Sequence, residues 1–141
     1  MPVIARHEGD WTGDYLHFDA AGNLRERHRS YIITRFATSG PHDYLQANAY
    51  TWPDGRREEL DFPAICHDGQ LWWDTERIKG SMKEVDSRTI FSTWVLKDLS
   101  DTYLYEMTHI SEDNRNRVRT WHWFVRGLLA RRTCITERRV R

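Results

Sequence analysis

The stretch Gly9-Asp10-Trp11 opens a series of strand-like segments that continues to residue 135. The first segment, residues 11–18, ends at the turn-forming residues 19–23. The second segment, residues 24–36, carries arginine at positions 25, 27, 29 and 35, whereas His28, Ser30, Ile32 and Phe36 occupy even positions. Alternate side chains point to opposite faces of a strand. We therefore predict two strands here, with the arginine face of the second strand in water.

The rest of the chain repeats this pattern of short alternating segments separated by turn signals. Further predicted strands occupy residues 44–52, 56–62, 64–67, 71–73, 89–97, 102–111, 116–124 and 128–140. Asp68-Gly69 is a dipeptide that type I′ hairpin turns prefer, and Lys79-Gly80 indicates another reversal. Helical spacing of apolar residues is missing. The sequence therefore predicts an all-β fold, a single antiparallel up-and-down β-barrel of about eight to ten strands, in one domain spanning residues 1–141.

Composition narrows the range of partners. Lysine plus arginine equals aspartate plus glutamate at 21 each, so a nucleic acid partner is not expected. No segment approaches the roughly 20 apolar residues of a membrane span, so no membrane association is expected. Cys66 and Cys134 lie far apart without metal or disulfide spacing, which favours a reducing, cytoplasmic location. The aromatic share of 13%, with seven tryptophans, suits a packed sheet or a small-molecule site.

The hairpin turns near the C-terminus predict which side chains share a face. A two-residue loop at Asp113-Asn114 places Tyr105 opposite His122, and one at Arg126-Gly127 places His122 opposite Arg131. One face then carries Tyr103, Tyr105, Met107, His109, His122, Arg131 and Thr133, and the other carries Glu106, Arg119, Trp121, Trp123 and Arg132. The first face is apolar with a few converging polar groups, as ligand pockets are. A one-residue bulge at either turn would exchange the two faces.

Arg131 is the sharpest candidate on this predicted face. A guanidinium inside a barrel needs a partner, and a ligand carboxylate held by two hydrogen bonds is one choice. The alternative is an exposed Arg131, or one paired with Glu137 or Glu58. Tyr105 and His122 would add hydrogen bonds to the ligand or, in an enzyme, act as acid and base. Their alternative is a barrel wall that satisfies its own polar groups.

Polar residues also alternate on the predicted strand at residues 44–52. Gln46, Asn48 and Tyr50 are expected to face inward, where the carboxamides must meet a ligand, water or each other. His28 is expected to point inward too, either toward the ligand or as a satisfied core histidine. No HxH or HExxH spacing supports a metal, and no cofactor is expected. A haem held by His109 or His122 is the alternative.

Three stretches resemble the opening of the calycin superfamily: residues 7–15, the turn at 19–22, and Gln46-x-Asn48-x-Tyr50-Thr51-Trp52. The likeness is to uncharacterised bacterial domains grouped with lipocalin-like and phycobiliprotein-lyase-like barrels. It implies that Trp11 packs under an arginine of the last strand, either Arg138 or Arg139. It also implies binding of an apolar or aromatic small molecule, and no catalytic motif carries over.

These observations support three hypotheses. The leading one is a barrel that binds a small, largely apolar ligand with a carboxylate or other acceptor. Its predicted ligand contacts are Arg131, Gln46, Asn48, Tyr50, Tyr103, Tyr105, His109, His122 and His28. The second is a cofactor-independent isomerase, cyclase or lyase that uses His122 and Tyr105 in the same cavity. The third is a homodimer formed through exposed tryptophans among Trp72, Trp73, Trp121 and Trp123.

Overall fold

The computed structural model describes residues 1–140 and contains one short helix and ten strands. The helix α1 spans Pro2–Ala5. The strands are β1 Gly9–Asp19, β2 Leu24–Phe36, β3 Tyr44–Thr51, β4 Arg57–His67, β5 Gln70–Asp74, β6 Ile78–Glu84, β7 Thr89–Leu96, β8 Thr102–Ile110, β9 Asn116–Val125 and β10 Leu128–Arg139. Arg141, the last residue of the predicted domain, lies outside the described residues.

Every strand pairs antiparallel with its neighbour in sequence, and β1 closes the sheet against β10. The predicted up-and-down barrel is confirmed, and it has ten strands. The arginine side of β2 faces outward, as predicted: Arg25, Arg27, Arg29 and Arg35 are exposed, whereas His28, Ser30 and Ile32 are buried. In residues 1–140 we find no helix with the length and apolar character that crossing a membrane requires.

The predicted turn at Lys79-Gly80 is wrong, because both residues lie inside β6. The chain reverses earlier, where Thr75 N donates to Ile78 O at 2.9 Å. Gly80 is present for a different reason: a Cβ there would collide with the backbone oxygen of Thr93. A glycine inside a strand often marks such a close backbone approach.

Two predicted strands, 56–62 and 64–67, are one continuous strand, β4. Pro63, which lies between the two predicted segments, pairs with Leu45 of β3. The β4–β5 ladder begins only at Ile65, so the proline interrupts no pairing on that side.

The hairpin at Arg126-Gly127 has the predicted two-residue loop, with φ of 51° and 79° and Val125 paired with Leu128. A bulge between Leu129 and Arg131 then shifts the register by one residue. Arg131 therefore lies opposite Trp123, and Arg132 takes the predicted place opposite His122. The β8–β9 register is as predicted, with Tyr105 opposite His122.

The predicted inner and outer faces of β8 and β9 are wrong. Tyr103, Tyr105, Met107, His109 and His122 lie on the outer face, and Tyr105 is 45% exposed. The inner face carries Glu106, Arg119, Trp121 and Trp123. The bulge in β10 adds Arg131 and Thr133 to this inner face. The inner face includes the charged residues Glu106 and Arg119. Each strand considered alone gives no partner for its charge, because the partners lie on other strands.

One end of the barrel is closed. Val3 and Ile4 of α1 pack on the buried side chains of Tyr44, Trp73 and Ile90. Two backbone N–H groups of α1 donate to the Glu84 carboxylate, from Val3 at 2.6 Å and from Ile4 at 2.9 Å. The carboxylate thus satisfies donors that a one-turn helix leaves free.

Trp11 lies at this closed end between two guanidinium groups. The Cζ of Arg139 lies 4.4 Å from the Trp11 ring centre, and the Cζ of Arg117 lies 4.3 Å from it. The predicted contact with an arginine of the last strand is confirmed, and that arginine is Arg139. Such contacts combine apolar packing with cation–π attraction.

Candidate functional site

A cavity of about 260 Å³ occupies the middle of the barrel and extends toward the end opposite α1. Its apolar lining consists of Trp52, Leu60, Phe62, Ile78, Trp94, Leu96, Leu104, Trp121 and Trp123. Its polar lining consists of Tyr15, His17, Glu26, His28, Gln46, Asn48, Tyr50, Glu58, Arg77, Asp98, Glu106, Arg119 and Arg131. An apolar chamber with a few polar groups is typical of small-molecule sites.

The structure brings five of the predicted ligand contacts into this lining. They are Gln46, Asn48, Tyr50, His28 and Arg131. Tyr103, Tyr105, His109 and His122 are on the outer face and do not line the cavity. His122 and Tyr105 therefore do not form an acid–base pair inside the barrel. For the same reason, neither His109 nor His122 offers a ligand to a haem in the cavity.

The tryptophans of the predicted homodimer are also mostly internal. Trp73 is fully buried, and Trp121 and Trp123 line the cavity. Only Trp72 of that set is exposed, and its Nε1 donates to His67 O at 2.9 Å.

The inward residues of β3 form a hydrogen-bonded row. The Tyr44 hydroxyl donates to Gln46 Oε1 at 2.7 Å, Gln46 Nε2 donates to Asn48 Oδ1 at 2.9 Å, and Asn48 Nδ2 donates to the Tyr50 hydroxyl at 2.8 Å. The carboxamides therefore meet each other, one of the three outcomes expected for them. Each amide nitrogen uses one of its two hydrogens in this row.

A second row of hydrogen bonds runs along the cavity wall. Trp123 Nε1 donates to Thr133 Oγ1 at 3.0 Å, and Thr133 Oγ1 contacts His17 Nδ1 at 2.8 Å. His17 Nε2 lies 3.0 Å from His28 Nε2, and His28 Nδ1 lies 3.4 Å from Arg29 O. Because a carbonyl only accepts, His28 carries its hydrogen on Nδ1 when neutral. His17 then donates through Nε2, and Thr133 donates to His17 Nδ1.

Both histidines of this row are neutral near pH 7. Burial, with Arg131 and His28 nearby, lowers the pKa of His17 to about 4. Burial also lowers the pKa of His28, against the opposing effect of its backbone hydrogen bond and of Glu26. The contact between the two Nε2 atoms also disfavours a charge on both rings at once, because two imidazolium groups would place two hydrogens in the gap.

Below the row of amides, four buried charged residues balance each other. Arg119 Nη2 donates to Glu137 Oε1 at 3.1 Å, and Arg119 Nη1 lies 3.8 Å from Glu106 Oε2. Arg117 Nε donates to Glu137 Oε2. Burial alone would raise the pKa of Glu137, but Arg117 and Arg119 together lower it. Glu137 is therefore ionised at neutral pH, held between the two guanidinium groups.

At the mouth, Arg131 already faces an acid. Its Nη2 lies 3.7 Å from Glu26 Oε2, and this acid is neither Glu137 nor Glu58, the partners named in the alternative to a ligand. Glu26 also lies 3.6 Å from Arg56 Nη2 and accepts from Trp52 Nε1 at 2.6 Å. The Arg131 side chain is 39% exposed, so this is a solvated rim pair.

Sequence reasoning missed His17, Arg119, Trp121 and Trp52 as members of the site. A signal existed for one of them: Trp121 and Trp123 share a face of β9, so placing that face outside would expose two tryptophans. His17 likewise alternates with Trp11 and Tyr15 in β1. Nothing local indicated that Arg119 is buried, because its partners Glu106 and Glu137 lie on β8 and β10.

Metal ligands do not cluster in the part of the chain that the structure describes. Among residues 1–140, no three His, Cys, Asp or Glu side chains come together closely enough to hold an ion. Cys66 and Cys134 are free thiols.

No protein-family model matches the sequence, and no curated protein matches it. The solved structures that share its fold over nearly the whole chain include the following three. A DUF3598-family protein with unknown function from Nostoc punctiforme has a TM-score of 0.76 at 13% identity over 99% of this chain and 51% of its own. The S-type phycobiliprotein lyase of Guillardia theta has a TM-score of 0.74 at 12% identity, and the match covers 98% of this chain and 90% of the lyase. Rv2717c of M. tuberculosis has a TM-score of 0.66 at 12% identity, and the match covers 98% of this chain and 95% of Rv2717c.

The fold is thus that of a calycin-like barrel, as the resemblance implied. The chain spans about half the length of the Nostoc protein. At these identities the likeness concerns the fold, and function must be argued from the cavity itself.

Proposed function

We propose that the barrel binds a small, largely apolar or aromatic molecule that carries a hydrogen-bond acceptor. The observation that carries the proposal is the cavity of about 260 Å³, walled by tryptophan, phenylalanine and leucine. A barrel built only for stability would fill this volume with side chains, because protein interiors are close-packed. The likeness in fold to a phycobiliprotein lyase supports a binding role.

The volume limits the size of the ligand. An apolar cavity of roughly 150 Å³ accommodates benzene, so a cavity of about 260 Å³ accommodates about ten non-hydrogen atoms. One substituted ring or a small fused pair of rings fits this limit.

The walls and the polar groups have separate roles in this proposal. Trp94 of β7, Leu104 of β8 and Trp121 of β9 supply apolar contact area. Gln46 and Asn48 offer their remaining amide hydrogens to the acceptor. Burial and the mutual hydrogen bonds of β3 hold these two amides in place before any ligand arrives.

Ligand-observed NMR and calorimetry with a panel of single-ring and two-ring ketones, amides and carboxylates test the proposal. Leu104→Phe should fill the cavity and reduce binding at least tenfold. Val95→Phe is the matched control, since Val95 lies on the outer face of β7 and is 52% exposed. Absence of binding by every panel member to the wild type, or equal binding by both variants, would contradict the proposal.

The His17–His28 pair favours a second candidate, a cofactor-independent isomerase, cyclase or lyase. Both imidazoles line the cavity, and either can accept and return a proton when a bound substrate replaces one of its present hydrogen bonds. Time-resolved NMR of bound panel members would reveal conversion. His28→Gln should then abolish conversion while binding persists; a panel that binds without change speaks for binding alone.

A further inference from the structure

We infer that the ligand's acceptor is a neutral carbonyl oxygen, as in a ketone, lactone or amide, and not a carboxylate. This inference rests on the proposed binding function and specifies its ligand class. It departs from the expectation of a carboxylate held by Arg131.

The charges that line the cavity leave no excess of positive charge for an anion. Four carboxylates line it, those of Glu26, Glu58, Asp98 and Glu106, against three guanidinium groups, those of Arg77, Arg119 and Arg131. His17 and His28 add no charge near pH 7. A carboxylate ligand would therefore enter a chamber whose lining carries one more negative than positive side chain.

Each lining arginine also has an acid beside it. Arg119 pairs with Glu137 at 3.1 Å, Arg131 lies 3.7 Å from Glu26, and Arg77 Nη1 lies 3.8 Å from Glu58 Oε1. A ligand carboxylate placed on any of them would come close to an existing carboxylate. Like charges at such separations repel, and burial strengthens the repulsion at Arg119.

The donors that remain suit a neutral oxygen. The second amide hydrogens of Gln46 and Asn48 are not used in the row along β3. Arg119 Nε and Trp121 Nε1 are buried without a hydrogen-bond partner, and both side chains line the cavity. An unpaired buried donor is costly, so a carbonyl oxygen reached by one of them after a small adjustment would bind favourably.

Three probes of one shape separate these possibilities: acetophenone, benzoate and cumene. They share a Y-shaped skeleton with the same number of non-hydrogen atoms, and differ by a neutral carbonyl, a carboxylate or no acceptor. Calorimetry or ligand-observed NMR near neutral pH should show acetophenone binding at least tenfold tighter than benzoate. It should also bind severalfold tighter than cumene.

A charge variant tests the electrostatic reason. Glu26→Gln removes a lining carboxylate, so the ratio of acetophenone to benzoate affinity should fall severalfold. Glu59→Gln is the control, because Glu59 is exposed on the outer face of β4, and it should leave the ratio unchanged.

The outcomes are distinct. Benzoate binding as tightly as acetophenone, or cumene matching acetophenone, overturns the inference while the binding function stands. An unchanged ratio in Glu26→Gln overturns the electrostatic argument for it. Failure of all three probes to bind counts against the proposed function itself, and the inference fails with it.

Discussion

His17 Nε2 lies 3.0 Å from His28 Nε2 inside the barrel, a distance that requires one hydrogen between the two rings. Two charged imidazoles would place two hydrogens in the same gap. The contact therefore disfavours a charge on both rings at once, and it links the stability of the fold to pH.

We predict that unfolding free energy falls as the pH drops below the ordinary histidine pKa. The pKa of His17 is about 4 in the folded chain, so the unfolded chain takes up the proton first. Stability from this group is complete above about pH 6.5 and is lost toward pH 4, with about 1–2 kcal/mol gone near pH 5. Urea denaturation near pH 7 and near pH 5 measures it.

His17→Gln should reduce this acid loss by about 1–2 kcal/mol. His109→Gln, on the outer face, is the control and should retain the full loss. Equal pH dependence in both variants would show that the buried pair does not set the acid response. His7, whose pKa is lowered to about 2 by burial and nearby arginines, should contribute in the same direction in every variant.

Arg119→Met should cost about 3–5 kcal/mol of unfolding free energy, because it leaves Glu137 and Glu106 buried with one cation fewer. Arg131→Met, at the solvated mouth, should cost less than about 1 kcal/mol. Denaturant titrations of the two variants at neutral pH compare the sites directly. Similar losses would mean that burial does not distinguish the two arginines.

Arg139→Ala should cost about 2–4 kcal/mol, because a charged group loses its carbonyl acceptors and its contact with Trp11. Arg139 donates to the carbonyl oxygens of Arg6, Glu8 and Asn114. Hydrogen exchange should become faster in residues 2–8, which these bonds hold. Arg138→Ala, one position earlier on the outer face, should change neither quantity; matching effects would refute the assignment.

Gly80→Ala should cost about 2–3 kcal/mol because the new Cβ would meet the Thr93 backbone oxygen and push β6 from β7. Ser81→Ala, the next residue in the same strand, should cost less than about 1 kcal/mol. Thermal unfolding of the two variants measures the difference. A stable Gly80→Ala variant would show that the two strands can separate without penalty.

Local patterns were sufficient for the β8–β9 register and for the turn at Arg126-Gly127. They were not sufficient for the register of β10 beyond that turn, because the bulge between Leu129 and Arg131 has no signature in the side chains around it. One extra residue moved Arg131 from a place opposite His122 to a place opposite Trp123. The predicted cluster of Tyr105, His122 and Arg131 was separated in this way.

Local patterns were also not sufficient to predict which face of β9 points inward, and here the reason is the energy of burying a charge. Placing Arg119 inside looks unfavourable when β9 is considered alone, since a buried charge needs partners. Glu106 of β8 and Glu137 of β10 supply them only once the barrel has closed. By contrast, Gln46, Asn48 and Tyr50 could be placed correctly, because their partners lie two residues away on the same strand.

The sequence by itself determined the closed antiparallel barrel and its turns at Asp68-Gly69 and Arg126-Gly127. Alternation and turn chemistry are local properties, and each is readable within a few residues. Only the tertiary structure decided which face of β8 and β9 surrounds the cavity and that each arginine of its lining lies beside an acid. Those outcomes depend on pairing between side chains from different strands, and no short stretch of sequence contains both members of such a pair.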